Sequence, residues 1–126
     1  MQMYPEIKRF VRETLGCTCP EDVFDTIDCK NEIEGLPGRK ITVGNRLLIY
    51  LVFVDRVPDV QGAINAALQQ GVEERNRRGL NRFRLVLVCS VPDELRNLSE
   101  QAFDSSGYVD EKTHLHVVSE TDVAGF

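Results

Sequence analysis

The sequence predicts a single α/β domain over residues 1–126. Two N-terminal helices precede a β-hairpin leading into β-α-β-α-β, with a mostly parallel sheet of about four strands. Three observations predict it. The stretch "LLIYLVFV", residues 47–54, is apolar without alternation, the pattern of a strand covered on both faces. From residue 46 onward strand-like and helix-like segments alternate, which calls for parallel pairing through right-handed crossovers. The chain also has 126 residues of ordinary composition, 42% hydrophobic and 28% charged. At that size a chain buries roughly two-thirds of its unfolded surface and needs no staples.

In chain order, Met3, Ile7, Phe10, Val11 and Thr14 recur at helical spacing, and Gly16 supplies a left-handed stop. A second helix starts at Pro20, which tolerates the first helical position, with Glu21 and Asp22 at its positive end. Val23, Phe24 and Ile27 form its stripe, and it is expected to end near Cys29. "EGLPGRK", residues 34–40, reads as a loop. Residues 41–43 and 46–54 read as hairpin arms around Gly44-Asn45. Pro58 opens a long helix through Val60, Ile64, Ala67, Leu68 and Val72, ended by Gly79. Residues 83–90 form the next strand, residues 92–107 a helix, and residues 114–118 the last strand. Residues 1–33 are thus a helical cover for one sheet face, 39–119 the sheet and crossover helices, and 120–126 a frayed tail.

The net charge of −5 argues against a general nucleic-acid binder, which needs a basic footprint. The N-terminus lacks the apolar region of a signal peptide, and the longest apolar run has 8 residues against the ~20 of a membrane span. A cytoplasmic location without membrane association is therefore expected, and with it four reduced cysteines.

Chemistry has few places to sit. Cys17 and Cys19 lie two apart in a stretch leading into a helix. Their thiols can face one ligand, and a helix N-terminus at Cys19 is expected to make its thiol more acidic. Zinc takes four ligands, so Cys29 is a candidate third, and His114 and His116, at i and i+2 on a strand, are candidates to complete the set. The competing account makes the cysteines packing residues of a helix corner and the histidines the polar face of an edge strand. A second place is the carboxyl edge of the parallel strands, where Asp55, Cys89, Ser90 and Asp93 lie on loops entering helices. Against it, Val-Pro-Asp is ordinary helix-start chemistry. Nucleotide-binding glycine patterns are absent, so no nucleotide is indicated. "EERNRRGLNRFR", residues 73–84, could meet an acidic partner, but its arginines are expected to serve the helix dipole and line a solvated surface.

The segment "RETLGCTCPEDVF" resembles the opening of a group of small uncharacterised bacterial proteins. It covers about a tenth of the chain, implies no activity and carries over no functional residue. Two functions follow from the residues themselves. One is a thiol-based accessory protein that binds zinc or another soft metal, or cycles between dithiol and disulfide. The other is a non-catalytic interaction module or homo-oligomer with structural cysteines. An enzyme using the Cys89-Ser90 rim is the weaker third.

Overall fold

The computed structural model of the chain describes residues 9, 27–30, 33, 38–44, 46–54, 57–90, 92–108 and 111–123. They form five strands and two helices: β1 (Ile27–Lys30), β2 (Gly38–Val43), β3 (Leu47–Phe53), α1 (Val57–Arg78), β4 (Arg82–Cys89), α2 (Pro92–Asp104) and β5 (Thr113–Ser119). The strands make one sheet in sequence order. β1, β2 and β3 pair antiparallel, whereas β3, β4 and β5 pair parallel. The α/β architecture and the hairpin-to-β-α-β-α-β order agree with expectation. The β-α-β-α-β part is parallel as expected, and the sheet as a whole differs in having a fifth strand, antiparallel to β2.

The fifth strand is the main correction. Residues 27–30 were expected at the end of a helix but run as β1, with Cys29 in register with Ile41. The reason is tertiary. The outer N–H and C=O groups of β2 need partners, and a strand laid beside them supplies a full ladder. For the same reason β2 extends back through Gly38–Lys40, residues assigned above to a loop. Glu120–Val123 forms a 3₁₀ turn where a frayed tail was expected.

β3 and β4 form the centre, and their side chains divide by parity. Leu48, Tyr50, Val52, Val54, Phe83, Leu85, Leu87 and Cys89 join Val60, Ile64, Ala67 and Leu68 of α1 and Leu95 and Ala102 of α2 in one core, so both helices cover the same face. Leu47, Ile49, Leu51, Val86 and Val88 alternate with them and are also buried, on the opposite face. The cover expected for that face, the two N-terminal helices, lies outside the described residues except for Arg9, which is helical. Fully burying side chains of this kind stabilises by roughly 1.5–3 kcal/mol each.

Local chemistry fixes where α1 stops. Gly79 takes a positive φ of 69°, its N–H bonds to the Asn76 carbonyl at 3.3 Å, and the Leu80 N–H reaches back to the Arg75 carbonyl at 2.9 Å. This Schellman closure satisfies two end carbonyls and drops Leu80 into the core. A close approach acts mid-helix, where a side chain on Gly71 would fall inside the Phe83 ring. Among the described residues no helix is long and apolar enough to cross a membrane.

Candidate functional site

β2, β3 and α1 come together around one buried carboxylate. Lys40 lies opposite Tyr50 in the β2–β3 ladder, and both side chains reach the α1 side of the sheet. Tyr50 sits inside an apolar strand, so its hydroxyl needs a partner within the core. It donates to Glu74 Oε1 at 2.6 Å. Lys40 Nζ donates to both carboxylate oxygens at 3.0 and 3.1 Å. Arg78 Nη1, one helical turn on from Glu74, donates to Oε2 at 2.7 Å and to Thr42 Oγ1 at 3.2 Å. The Tyr50 ring meets Phe83 edge to face at 5.0 Å, which fixes where the hydroxyl points.

The electrostatics follow from these contacts. Burial alone would raise the Glu74 pKa, but the hydrogen bonds from Tyr50, Lys40 and Arg78 outweigh it and hold the carboxyl below its ordinary value. Burial, and then the bond to Glu74, push the Tyr50 phenol well above its ordinary range. Near neutral pH, Glu74 is therefore fixed as an acceptor and Tyr50 as a donor. Lys40, Tyr50 and Glu74 of this group line a cleft of about 430 Å³ together with Ile33, Gln70, Glu73 and Arg77.

The sulfur and imidazole candidates are divided between places. Cys17 and Cys19 lie outside the described residues. Cys29 is on β1 and His114 and His116 are on β5, the two opposite edges of the sheet. One row of the ladder runs from Cys29 through Ile41, Ile49 and Arg84 to His114, so four strand spacings of about 4.8 Å separate its ends. One ion bound at about 2 Å cannot draw on both edges.

His116 has a different partner. Arg84 Nη1 lies 2.9 Å from its Nε2. A guanidinium can only donate, so Nε2 accepts and the neutral ring carries its proton on Nδ1. In that arrangement neither nitrogen offers a lone pair to a metal. Burial, then Arg84, then His114 lower the His116 pKa to about 4. His114 Nε2 lies 3.1 Å from the Glu111 carbonyl oxygen. Among the described residues no three His, Cys, Asp or Glu side chains are grouped to hold a metal ion.

The strand-end candidates do not converge either. Asp55 lies outside the described residues. Cys89 is buried in the helix-side core with Sγ 3.8 Å from the Val118 carbonyl oxygen, Ser90 is exposed, and Asp93 is exposed and paired with Arg96 at 2.7 Å. The arginine-rich stretch departs from expectation in part. Arg75 stands in the last turn of α1 as expected but is buried, donating to Thr113 Oγ1 at 2.8 Å, and Arg84 is buried instead of solvated, with His116 as a neutral partner. No family model matches the chain, and no curated protein or solved structure matches it.

Sequence reasoning missed Lys40, Tyr50, Glu74 and Arg77 as a set. Two signals pointed toward it: a tyrosine within an unbroken apolar run, and a Glu74/Arg78 pair at helical spacing.

Proposed function

We propose that the protein is a non-catalytic binding module whose cleft between β2, β3 and α1 takes a small organic anion. The observation that carries this reading is the double neutralisation of Glu74, which lines the cleft, by Lys40 and Arg78. Among the residues that line the space Lys40 and Arg77 balance Glu73 and Glu74, and the pairing of Arg78 with Glu74 from outside the lining adds one positive charge nearby. Glu74 fixes the Lys40 ammonium and leaves it donor capacity for a ligand, since an ammonium has three N–H groups. Arg77 at the cleft wall brings a planar fork suited to a carboxylate. Ile33 and the Tyr50 ring supply apolar wall, the usual complement to a few placed polar groups. Tyr50 and Glu74 both have pKa values displaced away from neutrality, which suits fixed recognition better than proton transfer.

The test is a calorimetric titration with a panel of small mono- and dicarboxylates and inorganic phosphate. At least one carboxylate should bind. Arg77→Ala, a change at an exposed position, should weaken it by about tenfold, the loss of one charge-assisted contact. Silence across the panel, or an Arg77→Ala protein that binds as tightly as the parent, rules the reading out.

A further inference from the structure

We propose that the outer edge of β5 pairs with the same edge of a second copy of this chain, antiparallel about a two-fold axis at His116. Among the described residues no strand lies beyond β5. The direction of its backbone groups is fixed by three contacts. The Lys112 carbonyl accepts from the Phe83 N–H of β4 at 2.8 Å, and the Val118 carbonyl points to the same side, toward the Cys89 thiol of β4 at 3.8 Å. The Val117 carbonyl instead accepts from Arg96 of α2 at 3.3 Å. Strand alternation then turns the N–H and C=O groups of Thr113, Leu115, Val117 and Ser119 away from β4.

The two sheet edges are unlike. β1 has four residues, and Asp28 and Lys30 are two of them, so it is short and charged in the way that discourages edge pairing. β5 has seven residues, Thr-His-Leu-His-Val-Val-Ser, with no carboxylate, lysine, arginine or proline among them. Four of its central side chains are half-buried, so their surface is available to a neighbour.

Self-pairing about His116 matches the strand to itself. It sets Leu115 against Val117 and Thr113 against Ser119, with all four residues in hydrogen-bonded positions, the pattern an antiparallel ladder requires. At those four positions apolar side chains face apolar ones and hydroxyls face hydroxyls, while His116 meets its own copy and His114 meets Val118. Just beyond the strand ends, the exposed Lys112 of one copy comes beside the exposed Glu120 of the other, and the axis repeats that opposite-charge pair. The Arg96 contact is compatible, because a carbonyl oxygen has two lone pairs. The occupant is thus a second copy of this chain, chosen by charge complementarity and by the fit of the strand to its own reverse.

The test is sedimentation equilibrium of the whole chain from micromolar to millimolar concentration, with three variants at exposed positions. The parent should form a reversible dimer of twice the 14.3 kDa chain mass. Lys112→Glu and Glu120→Lys should each weaken it by about tenfold, since each turns two attractive pairs into repulsive ones. The two changes move the net charge in opposite directions, so a common loss cannot come from overall repulsion. The combined variant should restore the parent affinity. A monomer at every concentration, a dimer unmoved by either single change, or one the combined variant does not restore overturns the proposal.

Discussion

Glu74 is buried and charged, and it remains so because three donors from two strands and its own helix meet its oxygens. Its lowered pKa favours the fold above the ordinary carboxylate value of 4.5 and withdraws that support as pH falls through the lowered one. His116 acts in a higher window. The unfolded ring takes a proton near 6.5, and the folded ring only near 4. Between those values the unfolded chain holds the extra proton, so stability is full above the unfolded value and falls on acidification. Allowing for partial exposure, the loss is roughly 2 kcal/mol. Urea midpoints taken at steps from neutral to acid pH should show this fall, and His116→Gln should flatten it while leaving the more acidic loss from Glu74. An unchanged slope in His116→Gln would remove the imidazole as its source.

At the level of elements, α1 carries two interior glycines of opposite meaning. Gly62 faces open space, so Gly62→Ala should stabilise by about 0.5–1 kcal/mol through helix propensity and a less flexible unfolded chain. Gly71 is where the Phe83 ring presses on the helix backbone, so Gly71→Ala should destabilise by about 1–2 kcal/mol despite the same propensity gain. Denaturant midpoints at constant m-value decide, and stabilisation by both changes would mean that the ring yields without cost. These elements also show how far the sequence could be read. α1, α2, β3, β4 and β5 were legible because apolar runs and helical stripes stand between prolines and glycines that punctuate them. β1 was not. "IDCK" is four residues with two charges and no run, and its strand state comes from β2, residues away in the sequence. The cleft was hidden for a related reason. Lys40 and Glu74 are 34 positions apart, and no local spacing records that register and helix packing bring them to 3.0 Å.

Across the whole molecule, β3 is the strand on which two kinds of pairing meet. On one side a tight turn, closed by the Arg46 N–H to Val43 carbonyl bond at 3.0 Å, brings β2 alongside it. On the other side β4 arrives only after all of α1 has been traversed. That is roughly three doublings of loop length, or about 2 kcal/mol more closure entropy. Closure entropy therefore predicts an order of assembly in which the β2–β3 ribbon gathers early and β5 is added last. In stopped-flow refolding, Ile41→Val should chiefly slow folding, whereas Val118→Ala should chiefly hasten unfolding. The reverse assignment would place the nucleus at the far edge. A chain growing from its N-terminus would have its antiparallel ribbon complete before α1 emerges, and each later strand would dock onto a template already standing.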